Sequence, residues 1–191
     1  MASVVLSGDT SGSVTIAAPA VAGSTTQTLV NITGTLAPIV SGTAVTASGT
    51  SVDFTSIPSW VKRITVMFQG VSTNGTSNYQ IQIGAGSVTT SGYAANNIST
   101  AGSAVNTSAH TSGFNFVVPS AATNVNSGSV ILSNLTSNTW VAQGVVSSTD
   151  TTRSNVCSGS ISLGGTLDRV RITTVNGTDT FDAGTINILY E

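Results

Sequence analysis

The chain has 191 residues and a mass of 19.1 kDa, enough for one domain with a sizeable core, and its formal net charge is −2 with a pI near 5.0. Charged residues are only 6% of the sequence, against about 25% in an ordinary globular protein. The sequence contains no basic stripe or polybasic segment that could bind phosphates or anionic lipids. We therefore expect neither nucleic acid nor a membrane as a partner.

Targeting signals and cysteines add two expectations. The first residues, "MASVVLSGDTSGS", contain no basic segment followed by a long apolar one, and no stretch approaches the roughly 20 apolar residues of a membrane span. We therefore expect synthesis in a cytoplasm without a signal peptide and, for any life outside the cell, release as part of a particle. Cys157 is the one cysteine, so the chain cannot form an internal disulfide and must be stabilised by packing or by partner chains.

Residues 1–43 are rich in Gly, Ser, Thr and Ala. They contain two short strand-like pieces, "SVTIAAPAVAG" and "TQTLVNITGTLAPIV", and neither can close a core alone. Pro19, Pro38 and Pro58 are three of the four prolines, and proline favours extended or edge conformations over central strands. This region is predicted to be an extended N-terminal arm that orders against another chain or another protein.

From residue 44 the sequence alternates apolar and polar residues. In "SWVKRITVMFQG" the side chains of Ile64, Val66 and Phe68 point one way and those of Arg63, Thr65 and Met67 the other, as in a half-buried strand. The same pattern predicts eight further strands, with the stretch 94–112 left as a longer gap: "VDF", "NYQIQIGAG", "GFNFVVP", "SGSVILSNL", "NTWVAQGVV", "CSGSISLGG", "DRVRITTV" and "GTINILYE".

The predicted fold class is all-β. No window shows the 3.6-residue apolar period of a helix, and many short antiparallel strands commonly fold as two packed sheets. We therefore predict an antiparallel, jelly-roll-like β-sandwich over residues 44–191, with oligomerisation covering the edges that remain exposed.

Two parts of the sequence resemble known proteins. The segment "GTSVDFTSIPSWVKRITVMFQGVSTNGTSNYQIQIG", with "SGYAA" and the ending "GTLDRVRITTVNGTDTFDAGTINILYE", resembles the C-terminal domain of tail-fibre and related structural proteins of tailed phages and prophages, over residues 48–191. The N-terminal "SGSVTIAAPAVAGSTTQTL" resembles segments found upstream of such domains, although those usually continue into "TLTLP" and this chain does not.

The resemblance implies a trimeric virion component with a β-sandwich head and no catalytic residues. Its partners would be two further copies of itself, a tail or major capsid protein, and a host-surface glycan, and no cofactor is expected. Three functions stay open: a tail fibre or tip, a capsid decoration (cement) protein held by its arm, and, from another class, a small carbohydrate-active enzyme.

The last 24 residues carry six of the twelve charged residues of the chain. In "DRVRITTV" the side chains of Arg169 and Arg171 share one strand face, and Asp179 and Asp182 follow an Asn-Gly turn that predicts a terminal hairpin. We expect bidentate Arg to Asp bonds, within one chain or between three, that fix pairing at an interface. Calcium and a glycosidase carboxylate pair are the alternative uses of the two acids.

Other side chains are weaker candidates. His110 lies in a Ser- and Thr-rich loop without a nucleophile motif, so a surface contact is favoured over a catalytic role. Cys157 lacks the further ligands of a zinc site and is predicted to be a small buried strand residue. Tyr79 and Tyr93 adjoin Asn- and Gly-rich turns, where they would be surface contacts for a glycan, while Trp60 and Trp140 are expected to be core or interface anchors.

Overall fold

The computed structural model describes residues 3–7, 13–17, 37–149 and 151–191. The contacts divide the chain into two compact units, Met1–Leu36 and Ala37–Glu191. In the first unit, strands β1 (Ser3–Ser7) and β2 (Ser13–Ala17) pair antiparallel. The rest of the predicted arm up to residue 36 lies outside the described residues. Residues 40–41 of that predicted arm pair with the last strand of the second unit.

The second unit is built from strands alone in its described part. They are β3 (Val40–Ser41), β4 (Val45–Thr46), β5 (Ser51–Thr55), β6 (Arg63–Thr73), β7 (Tyr79–Ala85), β8 (Ser87–Val88), β9 (Ala94–Ala101), β10 (Ala104–His110), β11 (Phe114–Val117), β12 (Asn126–Thr136), β13 (Thr139–Ser148), β14 (Arg153–Ser162), β15 (Arg169–Thr174) and β16 (Phe181–Tyr190).

These strands form two antiparallel sheets. The larger has nine strands, in the order β10-β9-β14-β13-β12-β6-β16-β3, with β4 also pairing with β16. The smaller has five strands, in the order β11-β7-β15-β5, with β8 pairing with β7. The two sheets share one apolar core, and the rings of Phe68 in β6 and Phe116 in β11 stack between them with centroids 4.5 Å apart. The predicted all-β, two-sheet, sandwich-like fold is confirmed.

Strand alternation decides which side chains fill this core. Ile64, Val66 and Phe68 of β6 are buried. Their outward neighbours Thr65 and Met67 are only half-buried. All nine predicted strand segments are strands in the structure. For β6 and β15 the alternation also predicted which side faces the core, because the side chains of a strand point to opposite sides in turn.

The predicted terminal hairpin is wrong. β15 pairs with β5 and β7 in the smaller sheet, whereas β16 pairs with β6 in the larger one, so the Asn176-Gly177 turn connects two sheets rather than two paired strands. Gly177 has a left-handed φ of 68°, a conformation that glycine adopts without steric cost in turns. Apolar side chains of both strands enter the core, Val170 and Ile172 from one sheet and Ile186 and Ile188 from the other. The two strands thus lie in opposite sheets of the sandwich, and both bury their apolar side chains in the same core.

The gap predicted at 94–112 is a hairpin of two strands. β9 and β10 pair in register from Ala101 opposite Ala104 to Ala95 opposite His110, and β9 also pairs with β14. The core-facing residues of β9 are Ala95, Asn97 and Ser99, all buried. Because Ile98 is the one large apolar side chain of β9 and it lies on the outward face, the strand lacks the apolar alternation by which the other strands were recognised.

Candidate functional site

The two tyrosines predicted as surface contacts are core residues, and that prediction is wrong. Tyr79 is 1% exposed and packs edge-on against Phe116 and Phe181. Tyr93 is 2% exposed, its hydroxyl donates to the carbonyl oxygen of Thr89 3.0 Å away, and burial raises its pKa to about 12. Turn residues flank both tyrosines, but each ring points into the sandwich because it contributes the large apolar volume that the core needs.

His110 ends β10 and is half-buried. Its Nε2 is buried and has no hydrogen-bond partner among the described residues, and burial lowers its pKa. A general base needs a nucleophile or an orienting acid within hydrogen-bond reach. No nucleophile or acid bonds Nε2 among the described residues, and the surface-contact role of His110 remains a prediction.

The other residues singled out by the sequence have mixed positions. Trp140 and Cys157 are buried, Trp140 as a core anchor and Cys157 as the small strand residue that was predicted. Burial raises the pKa of the Cys157 thiol to about 12. Trp60 is partly exposed and its ring lies 5.9 Å from that of Tyr190.

The charged pairs differ from those expected within one chain. Arg171 binds Asp53 of β5 with two hydrogen bonds, Nε to Oδ1 at 2.7 Å and Nη2 to Oδ2 at 3.0 Å. Arg169 binds its neighbour Asp168 in the same forked way, at 2.8 and 3.2 Å. The expected pairing with Asp179 and Asp182 is not made because β5, rather than a returning hairpin strand, lies beside β15.

The two ion pairs shift the pKa values of Asp168 and Arg171 in the directions that favour their charged forms. The pKa of Asp168 is lowered, first by the hydrogen bond from Arg169 and further by the backbone N–H of Gly86. The pKa of Arg171 is raised by its hydrogen bond to Asp53. The Asp168 carboxylate and the Arg171 guanidinium therefore keep their charges at neutral pH.

Asp179 joins two loops, and Asp182 joins the strands β16 and β6. Asp179 accepts hydrogen bonds from the Ser77 backbone N–H at 2.9 Å and from Asn176 Nδ2 at 2.6 Å, which joins the β6–β7 loop to the β15–β16 turn. Asp182 accepts a hydrogen bond from Ser72 Oγ. Within the described residues no group of three or more His, Cys, Asp or Glu side chains could hold a metal ion.

A polar cleft of about 240 Å³ lies on the side of the smaller sheet away from the core. Its walls come from β5, β7, β15 and the Asn176-Gly177 turn, and we call this set the polar cleft: Thr50, Ser51, Gln80, Gln82, Arg171, Thr173, Thr174, Val175, Asn176 and Gly177. The strand register explains why these residues lie next to one another. Ser51, Thr173 and Gln80 are cross-strand neighbours, as are Asp53, Arg171 and Gln82.

The side chains of the polar cleft are fixed by bonds to their surroundings. Arg171 donates a hydrogen bond to Asp53, and Gln82 Nε2 donates one to the Ser112 carbonyl oxygen at 2.8 Å. Gln80 Oε1 accepts from Ser112 Oγ at 2.9 Å, and Thr173 Oγ1 donates to the Thr50 carbonyl oxygen at 2.8 Å. Gln80, Gln82 and Thr173 are buried, whereas the Arg171 side chain is 38% exposed. The guanidinium of Arg171 is thus positioned before any ligand arrives, which lowers the entropic cost of binding.

The larger sheet presents a different surface. Residues 64–149 contain no Asp, Glu, Lys or Arg. Arg153 of β14 turns toward the core, where its Nη1 bonds Ser99 Oγ at 2.9 Å. The side of β9, β10, β12, β13 and β14 away from the core is therefore uncharged in the described residues, and we call it the outer face. A shallow depression of about 450 Å³ lies on it, lined by Ser129, Ile131, Gln143, Gly144, Val145, Val156, Cys157 and Ser158.

No protein-family model matches the chain, and no match was found among the curated proteins or the solved structures. In the described part of the chain there is no helix long and apolar enough to cross a membrane.

Proposed function

We propose that this chain is a non-enzymatic structural protein of a phage virion, a homotrimeric tail-fibre or tip protein that attaches to a glycan of the host surface. The resemblance of residues 48–191 to the C-terminal domain of such proteins supports the virion part of this proposal. The two-sheet head supports it as well, since the resemblance implies a β-sandwich.

The polar cleft is the observation that carries the attachment function. A guanidinium donates hydrogen bonds to sugar hydroxyls, and carboxylate or amide oxygens accept them. Because Asp53 neutralises Arg171, the cleft favours an uncharged polyhydroxylated ligand over a phosphate or carboxylate. Exposed Val175 at its wall offers an apolar surface to the C–H groups of a sugar ring.

Binding of the purified protein to an array of bacterial surface polysaccharides tests this function. We expect binding to neutral glycans, and substitution Arg171→Leu should weaken it at least about tenfold, because a hydrogen bond from a charged group to the ligand is worth about 1.5 kcal/mol or more. Arg63→Leu on β6 of the larger sheet is the matched control, since Arg63 is also a partly exposed arginine in an ion pair, and this variant should bind as wild type does. Ser51→Phe, which fills the polar cleft from an outward strand position, should abolish binding without entering the core. Equal binding by all four proteins would exclude the polar cleft.

A capsid decoration protein is the second candidate. The separate compact unit at Met1–Leu36 favours it, since a decoration protein would use such a unit to reach neighbouring capsid subunits. Quantified virion proteomics separates the two candidates. Tens of copies per particle or fewer support the fibre, whereas hundreds support decoration.

A small carbohydrate-active enzyme is the candidate of another class, and the hydrogen bonds that the two acids accept from neighbouring groups argue against it. A glycosidase requires one carboxyl group to protonate the leaving group and a second to act on the other side of the sugar. Asp179 accepts bonds from Ser77 and Asn176, and Asp182 accepts one from Ser72. Prolonged incubation with a bound glycan should therefore leave the glycan uncut, as chromatography of the products would show.

A further inference from the structure

The chain contains two Asn-Gly dipeptides, and each lies between two strands. Asn74-Gly75 lies between β6 and β7, and Asn176-Gly177 lies between β15 and β16. Both asparagines are exposed, so exposure does not distinguish them. An asparagine before a glycine can react without an enzyme, because glycine has no Cβ to keep its backbone nitrogen away from the asparagine side chain. The two dipeptides are therefore a matched pair, and their surroundings decide how fast each one reacts.

The reaction is deamidation through a cyclic imide. The glycine nitrogen attacks Cγ of the asparagine side chain, a C–N bond forms, and ammonia leaves with the proton that the nitrogen has lost. Water then opens the ring at either carbonyl group and gives aspartate or isoaspartate, so water is the only co-reactant. Ring closure requires a side chain that can rotate until Cγ meets the glycine nitrogen. Hydrogen bonds that hold the side chain or the glycine N–H slow the reaction, because they must break first.

Hydrogen bonds hold both reacting groups of the Asn176-Gly177 dipeptide. Asn176 Oδ1 accepts bonds from Thr174 Oγ1 at 2.9 Å and from the backbone N–H groups of Thr178 and Asp179, each at 3.1 Å. Asn176 Nδ2, which would leave as ammonia, donates to Asp179 Oδ1 at 2.6 Å. The attacking nitrogen is also engaged, since the Gly177 N–H donates to the Thr174 carbonyl oxygen at 3.1 Å. All of these bonds oppose ring closure at this turn.

The side chain of Asn74 is held at one atom. Its Oδ1 accepts a hydrogen bond from the Thr180 N–H at 2.8 Å. Among the residues that the structure describes, neither Asn74 Nδ2 nor the Gly75 N–H has a hydrogen-bond partner. The leaving amide and the attacking nitrogen are thus both free of hydrogen bonds to the described chain, in contrast to the same two groups at Asn176-Gly177.

We propose that Asn74 is a site of spontaneous deamidation and that the fold protects Asn176 from the same reaction. The protected asparagine belongs to the polar cleft, whereas Asn74 does not line it. The new carboxylate at position 74 lies close to Asp179, whose own carboxylate approaches Gly75 so closely that an added Cβ there would overlap it. Deamidation therefore brings two negative charges together where Asp179 joins the two loops. This inference requires neither a glycan nor a virion, so it is independent of the proposed function.

Peptide mapping of the folded wild-type protein tests the proposal. The protein is kept in mildly alkaline buffer for several weeks, and chymotrypsin then releases the two sites in separate peptides, 69–79 and 168–181. Mass spectrometry measures how much of each amide has become a carboxylate. We expect Asn74 to react at least about tenfold faster than Asn176, which corresponds to about 1.4 kcal/mol of protection. In urea, where the fold is lost, the two sites should react at similar rates.

Two variants assign the modified residue. Asn74→Ser keeps an oxygen that can accept the Thr180 N–H but has no amide, so the acidic form that accumulates on ion-exchange chromatography should disappear. Asn78→Ser is the matched control, since Asn78 lies in the same loop but precedes tyrosine, and it should accumulate the acidic form as wild type does. Similar rates at Asn74 and Asn176 in the folded protein would overturn the proposal. So would a tenfold difference that persists in urea, or an acidic form that accumulates at the wild-type rate in Asn74→Ser.

Discussion

Arg171 and Asp53 form a forked ion pair between β15 and β5, with both hydrogen bonds at 3.0 Å or less. The two residues are directly opposite each other in the strand register, so the pair reinforces the alignment of an edge strand. It also fixes the guanidinium at the wall of the polar cleft. One contact therefore links the strand pairing of the smaller sheet to the proposed ligand site.

A double-mutant cycle with Arg171→Ala and Asp53→Ala should give a coupling energy no larger than about 1 kcal/mol. The side chains are 38% and 35% exposed, and water screens ion pairs of this exposure. Urea unfolding of the four proteins measures the coupling. In the glycan assay, by contrast, Arg171→Ala should lose binding. A coupling energy of several kcal/mol would mean that the pair acts as a buried one.

Asp168 should make stability depend on pH at the acid end. Its pKa is lowered from 3.8 in the folded state by Arg169 and Gly86, so it stabilises the fold above the unfolded-state pKa. That contribution falls as the pH drops below 3.8 and is lost as the pH passes through the lower folded-state pKa. The difference in melting temperature between wild type and Asp168→Asn should therefore be constant near neutral pH and shrink toward zero in acid. A difference that is the same at every pH would contradict this assignment.

Phe116 should be among the most sensitive core positions. Its ring stacks on Phe68 of the opposite sheet and meets Tyr79 edge-on, and it is almost fully buried. Phe116→Ala removes this contact between the sheets and leaves a cavity, which should cost about 3 to 5 kcal/mol. The midpoint of chemical unfolding measures the loss. Val175→Ala at an exposed position is the control and should change stability by no more than about 0.5 kcal/mol.

Local patterns in the sequence were sufficient to predict strands but not their partners. Val170 and Ile172 alternate with Arg169 and Arg171, and this predicted correctly which side of β15 is buried. The Asn176-Gly177 turn suggested a hairpin, yet pairing with β5 and β7 places β15 in the other sheet from β16. Sheet membership depends on contacts between residues more than a hundred positions apart, as with Asp53 and Arg171, which a local pattern does not encode.

Most residues of the polar cleft could not be predicted from the sequence, for a related reason. Arg171 was singled out, but Gln80, Gln82 and Thr173 were not, because amides and hydroxyls are common throughout this chain and become a site only when register aligns them. One signal was present for the outer face. The absence of charge from residues 64–149 could have indicated a surface that avoids unpaired ions.

Cys157 gives a direct test of the packing beneath the outer face. Cys157 lies on β14, which pairs with β13 and β9 in the larger sheet, and its thiol is buried in the core, where burial raises its pKa to about 12. Because the thiolate is the reactive form, the folded protein should react with Ellman's reagent only as fast as the sheet opens, whereas the urea-unfolded chain should release one equivalent of chromophore at once. Phe116→Ala should speed the reaction of the folded protein, since weaker packing between the sheets makes opening more frequent. Rapid labelling of native wild type would show that this part of the sheet is open to solvent and would contradict the core assignment of Cys157.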